Sequence, residues 1–219
     1  MKITAYITND YKALNLSMTV GEVKLFFKDL PFTHFPVVAK GRLIGMLAQM
    51  DLIHYPDDQA ILKDLQHLFE HYNASVPTHC IDLLALFAQN DSDIVPVVDK
   101  NFQYLGYFEL DDILQLFYET PFLKQSSTTL IIEKEKNNYS MSEIAQIVES
   151  NNITPLGIYI SKASGSHHQI TLRLESKDVN EVIQSLRRYD YRVLTENKDD
   201  LLIEQLKERS EYLQKYLDI

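Results

Sequence analysis

Two aspartates sit in matching surroundings. The stretch "GRLIGMLAQMDLI" covers residues 41 to 53, and "FQYLGYFELDDIL" covers residues 102 to 114. In each, an aspartate follows a glycine by six residues, Asp51 after Gly45 and Asp112 after Gly106. Both aspartates precede an apolar run, where a carboxylate can cap a helix by accepting its orphan backbone N–H groups, worth about 1 kcal/mol. The glycines fall inside strand-like runs, where a missing side chain marks close approach of another backbone or of a ligand. A second candidate is "HLFEH", His67 to His71. Two histidines one turn apart on a helix can share a metal, with Glu70 as general base. No dedicated catalytic domain accompanies them, so a solvated helix face is the expected setting. His167 and His168 are adjacent in "KASGSHH" and are expected in a solvated hairpin loop. The chain offers no Ser–His–Asp order, no phosphate loop and no CxxC pair on which to build an enzyme.

The elements that must hold the aspartates are written twice. Pro36-Val37-Val38 returns as Pro96-Val97-Val98, 60 positions on, whereas Gly45 and Asp51 return 61 positions on. Val20 and Val23 are matched to Ile81 and Leu84 on the longer spacing. Val20, Val23, Phe27 and Leu30 form one stripe of an amphipathic helix. "FPVVA" and "VPVVD" read as short strands opening with proline, "KGR" and "DKNFQ" as turns, and "LIGML" and "LGYFE" as return strands. Ile61, Leu65, Leu68 and Tyr72 predict a linker helix between the copies.

Strand, turn, strand, glycine and then aspartate resembles the CBS domain, which occurs in tandem pairs called Bateman modules. The resemblance covers about residues 1 to 123, as repeats over 1–60 and 61–124. It implies two α/β repeats packed sheet to sheet about a pseudo-twofold axis, with adenine nucleotides or related ligands in the clefts between them. Asp51 and Asp112 would then meet ribose hydroxyls. Phe35 with Pro36, and Val95 with Pro96, would line the base pockets beside Gly45 and Gly106. The family prefers Ser or Thr three residues after the glycine, to meet phosphate, and here Ala48 and Glu109 stand there. The implied ligand is adenosine, AMP, ATP or an S-adenosyl compound, with no cofactor required.

Beyond the polar run "KQSSTT" the pattern changes. "LIIEKE" predicts a strand. "SMSEIAQIVESNN" predicts a helix with Ile144, Ile147 and Val148 inward, opened by Ser140 in a capping box with Glu143 or by Ser142. Two strands follow, the second alternating at Ile170, Leu172 and Leu174. Then come a helix striped by Val179, Val182, Ile183 and Leu186, and a last strand "YRVL". This βαββαβ order over 125–196 is ferredoxin-like and resembles an ACT domain, a small-molecule regulatory module. A C-terminal helix over 197–219 carries an apolar stripe that serves either as a dimer seam or as a patch docked on its own domain. The fold class expected is α+β, and the combination resembles acetoin-utilisation-type regulatory proteins.

Composition narrows the partners. A net charge of −10 disfavours nucleic acid. The start lacks a signal peptide's apolar core, and no run reaches the roughly 18 apolar residues of a membrane span, so a cytoplasmic location is expected. The lone Cys80 excludes an intrachain disulfide and is expected to be a small buried side chain. The expected function is non-enzymatic ligand sensing relayed through a homodimer to a regulated protein. The alternative is a constitutive dimeric interaction scaffold with empty clefts.

Overall fold

The computed structural model describes residues 3–195. The expected C-terminal helix over 197–219 lies outside them. The chain divides into two compact units, Met1–Thr120 and Pro121–Ile219.

The first unit opens with a 3-10 turn, Ile3–Tyr6, followed by α1 (Val20–Lys28). Thr19 starts α1 with a capping box: its side chain accepts the Glu22 N–H, and the Glu22 carboxylate accepts the Thr19 N–H. Val20, Val23 and Phe27 are buried, while Leu30 lies past the helix end. Strands β1 (His34–Ala39) and β2 (Arg42–Ala48) form an antiparallel hairpin. Lys40 and Gly41, both at positive φ, make the two-residue turn that such hairpins favour. β2 runs directly into α2 (Gln49–Ile53). The second copy contains β3 (Ala74–Ser75), α3 (Cys80–Asn90), β4 (Ile94–Val98), β5 (Tyr104–Glu109) and α4 (Leu110–Tyr118).

The two hairpins share register to the residue. Pro36 pairs with Met46 and Pro96 with Tyr107, and β1 and β4 each shift register inside the valine pair, between Val37 and Val38 and between Val97 and Val98. Both prolines sit third in their strands, not first as expected. That position tolerates them because their partners bond elsewhere. Met46 exchanges both backbone hydrogen bonds with Glu70, and Tyr107 with Thr8, so neither ladder requires an N–H from proline.

The repeat spacing is also explained. Helices α1 and α3 match at 60, with Val23 and Phe27 answering to the buried Leu83 and Phe87, and cap Thr19 to cap His79. Ile81, expected inward, is 58% exposed. The extra residue enters at the hairpin turn, where Lys100, Asn101 and Phe102 replace Lys40 and Gly41. Positions before the turn repeat at 60 and those after it at 61.

The linker differs from expectation. Leu62–Leu68 is a 3-10 segment broken at Leu65, and the chain then extends so that Glu70 bridges Met46. His67 and His71 therefore share no helix face. Among the described residues no three of His, Cys, Asp and Glu are grouped to hold a metal ion. Nor is any described helix long and apolar enough to cross a membrane.

The second unit contains α5 (Pro121–Lys124), β6 (Thr128–Glu135), α6 (Met141–Ser150), β7 (Pro155–Ser164), β8 (His167–Leu174), α7 (Asn180–Arg188) and β9 (Arg192–Val193). The strand order β7-β8-β6-β9, antiparallel throughout, is the ferredoxin-like arrangement. Ile144, Ile147 and Val148 of α6 and Val182, Ile183 and Leu186 of α7 share one core with Leu130, Ile132, Ile170, Leu172 and Leu174. Ser140 accepts the Glu143 N–H as expected, but the capping box is only half made. The Ser140 N–H goes to the Tyr191 hydroxyl, which donates to the Glu143 carboxylate at 2.7 Å. Burial pushes the Tyr191 hydroxyl up to about 12. His167 and His168 are not in a loop: they begin β8, opposite Glu135 and Lys134.

Candidate functional site

Two pairs of equivalent residues mark the axis of the first unit. Arg42 of the first hairpin bridges Gln103 of the second, its counterpart at spacing 61. Thr33 meets Asp93, its counterpart at 60: the Asp93 carboxylate accepts the Thr33 N–H at 3.0 and 3.1 Å and the Thr33 hydroxyl at 3.1 Å. A contact between equivalent residues lies on a twofold axis. The same residues control the helices that follow. The Thr33 carbonyl accepts the Gln49 N–H, the first of α2, and the Asp93 carbonyl accepts the Leu110 N–H, the first of α4.

Those helices carry the two aspartates, though not as caps. The cap positions belong to Ala48 and Glu109, and Asp51 and Asp112 stand third inside α2 and α4. The strand runs into each helix without a turn, which moves the start three residues upstream of the expected point. In the first turn a carboxylate still interacts favourably with the helix dipole, by roughly 0.3–1 kcal/mol. Asp51 is exposed, and its carboxylate has no hydrogen-bond or ion-pair partner among the described residues. Asp112 is half-buried and lies beside Glu109, whose carboxyl is raised above its ordinary value by burial first and then by the Asp112 charge. The Thr8 hydroxyl donates to Glu109 at 3.4 Å.

The apolar candidates lie deeper. Phe35 is fully buried in a group of rings: Phe26 at 5.1 Å, Tyr107 at 5.7 Å, Phe32 at 6.2 Å and Tyr11 at 6.4 Å. Tyr107 comes from the other repeat, and burial raises its hydroxyl pKa, partly offset by Thr8 and the Tyr11 backbone. Val95, the counterpart of Phe35, is also fully buried, and Pro36 and Pro96 are buried beside them. Near the second copy stands a polar group. Burial raises the Tyr72 hydroxyl, with Ser92 opposing and Glu70 and Asp93 adding to the rise.

Both glycines are covered by protein. A Cβ on Gly45 would stand 2.8 Å from the Phe69 Cβ and 3.0 Å from the Glu70 carbonyl oxygen. On Gly106, which has φ +144°, it would strike the Thr8 carbonyl and Ile7. The close approach read from the sequence is thus that of a crossing backbone in each copy. Thr33, Asp93 and the crossing residue Thr8 were missed in the sequence, and Glu70, read there as a general base, is instead a crossing residue. The available signal was Asp93 itself, 60 positions after Thr33 and two before a pre-proline residue. Cys80 is half-buried at the first residue of α3, with its Sγ 3.7 Å from the His79 Nδ1, rather than in the core.

Comparison with known proteins gives a family for the first copy. Residues 3–58 match the CBS domain model. An uncharacterized protein of Methanocaldococcus jannaschii is 21% identical over 115 residues, 52% of this chain and 43% of the relative, so the chain spans less than half of that protein's length. Among solved structures, a CBS domain pair/ACT domain protein from Thermotoga maritima is 21% identical over 54% of this chain and 98% of its own, with a TM-score of 0.49. The cytosolic domain of the Mg2+ channel MgtE in complex with ATP is 27% identical over 52% of this chain and 48% of its own, with a TM-score of 0.45. Residues 3–58 are thus a CBS domain by family match, and the chain from α3 to α4 repeats its strand register, bulge, glycine and helix entry as a second copy of that fold.

Proposed function

We propose that this chain is a non-catalytic ligand-sensing protein whose CBS pair takes an adenosine-type small molecule, with Asp51 as the first ribose contact and Asp112 as the second. The observation that carries this reading is the Asp51 carboxylate, fixed in the first turn of α2 yet without a protein partner among the described residues. Asp112 ranks second because Glu109 crowds it. Ala48 offers no hydroxyl for a phosphate, and a charged Glu109 would repel one. Adenosine is therefore expected to bind at least as well as AMP or ATP in calorimetric titration. An ordered preference for the triphosphate without added cation overturns that ranking. Asp51→Asn should weaken adenosine binding about tenfold, in line with roughly 1.5 kcal/mol for a charged hydrogen bond. Its thermal stability should change little. Equal binding by the two proteins reduces Asp51 to a helix-start residue.

Signal transfer would run through a homodimer. The second unit supports this: β7 is a ten-residue edge strand with Tyr159 and Ile160 exposed, and such edges are templates for pairing. Light scattering that shows a monomer at micromolar concentration removes this part.

The enclosure of Phe35 by four rings favours a second reading, a constitutive scaffold whose cleft is filled by its own side chains. Adenosine at saturating concentration distinguishes the two, because binding to the native state must raise the melting temperature.

A further inference from the structure

We propose that Thr33 and Asp93 are positioning residues that couple the two candidate ligand aspartates across the pseudo-twofold axis, so that occupancy of one cleft sets the affinity of the other. The ligand half of this proposal rests on the reading above; the positioning half does not.

Four observations meet at this point. Asp93 holds Thr33 through three hydrogen bonds from a backbone N–H and a hydroxyl. The carbonyl of each residue accepts the first N–H of a helix, so the side-chain contact and the two helix starts share one peptide on each side. Asp51 and Asp112 lie two residues beyond those first N–H groups, within a single helical turn. The contact also extends outward in one direction. The Thr33 Oγ1 is 2.9 Å from the His34 Nδ1, and the His34 Nε2 is 3.7 Å from the carboxylate of Glu70, the residue that crosses over Gly45. The counterpart of His34 is Ile94, so this extension exists in the first copy alone.

A rotation of α2 that brings Asp51 onto a ribose must carry the Gln49 N–H with it, and with it the Thr33 carbonyl. Thr33 cannot shift without moving or breaking its bonds to Asp93, whose own carbonyl sets the start of α4. The link is therefore short, polar and made of hydrogen bonds. Coupling between sites commonly changes affinity about 5- to 150-fold.

The test uses the full chain and begins without ligand. Amide hydrogen exchange at Gln49 should accelerate at least about 5-fold in Asp93→Ala, although Gln49 belongs to the other repeat. Asp93→Asn keeps an acceptor oxygen and should restore most of the protection. Unchanged exchange at Gln49 in Asp93→Ala overturns the positioning role. If Asp93→Ala does not fold, Thr33→Val, which removes only the hydroxyl, is compared with Thr33→Ser at the same amide. Adenosine titration then reads the coupling. The wild type should show two interacting binding steps, and Asp93→Ala should show two independent ones. Binding at both clefts with identical step ratios in the two proteins refutes the coupling. An absence of any adenosine binding sinks the ligand reading and the coupling with it, while the exchange result still decides the positioning role.

Discussion

The two repeats of the first unit agree in backbone and differ in filling. Both place proline where the partner strand bonds elsewhere, glycine beneath a crossing chain, and aspartate third in the following helix. The proline and glycine placements follow from chain geometry, whereas the aspartates cap nothing. Around the pre-proline residue the copies part. The first surrounds Phe35 with Tyr11, Phe26, Phe32 and the Tyr107 ring of its neighbour. The second has Val95, with Ser92 in the place of Phe32 and Met46 in the place of Tyr107. A duplicated fold thus retains what the backbone demands and is free to make one half aromatic and the other aliphatic and polar. The surroundings of the two pre-proline residues are therefore unequal.

The sharpest way to break this comparison is truncation at the pre-proline position. Phe35→Ala should cost about 4 kcal/mol and Val95→Ala about 2 kcal/mol in urea denaturation, since the aromatic cluster loses more contact and leaves the larger cavity. Equal costs would mean that the aromatic cluster adds no packing beyond its aliphatic counterpart. Next come the glycines. Gly106→Ala should cost about 3 kcal/mol, because its positive φ adds backbone strain to the collision with Thr8. Gly45→Ala lacks the strained φ and should cost about 2 kcal/mol, from overpacking against Phe69. A reversal of that order would show that the Ile7–Thr8 crossing yields more easily than the Phe69–Glu70 crossing.

The smallest effect separates Glu109 from Ala48. Burial and the neighbouring Asp112 raise the Glu109 carboxyl in the folded state, so folding favours its protonated form. The contribution is complete below the unfolded value and is lost as pH rises through the folded one. Glu109→Gln should therefore be slightly more stable than wild type at neutral pH. The gap should close on acidification through the range just above the ordinary carboxylate value. A mutant less stable than wild type at neutral pH would show that the Thr8 bond outweighs the burial of the charge.

The sequence made the repeat legible because proline and glycine recur where the backbone admits them, proline in the strand and glycine beneath a crossing chain. It also made the ferredoxin-like order legible, since the stripes of α6 and α7 and the alternation of β8 are long enough to fix their periods. Helix starts were less readable. Asp51 looked like a cap because caps usually follow turns, and nothing local shows that β2 enters α2 without one. The linker misled for a related reason. Ile61, Leu65, Leu68 and Tyr72 keep helical spacing, but the tertiary bridge between Glu70 and Met46 pulls the chain straight after Leu68. The ring group around Phe35 could not be anticipated, because Tyr107 reaches it from the other repeat.

The crossing of Thr8 onto Tyr107 sets a timetable for the growing chain. The first hairpin can close once β2 has been made, and Leu14 can join it at once through Pro36 and Val38. Thr8 has to wait for a partner 99 positions further along. At a synthesis rate of about 5–20 residues per second, that delay is roughly 5–20 s. Throughout it the segment before Leu14 has no sheet to join, and β5 closes over it only when the second hairpin arrives. A segment made ahead of the first hairpin is thus placed only after the second.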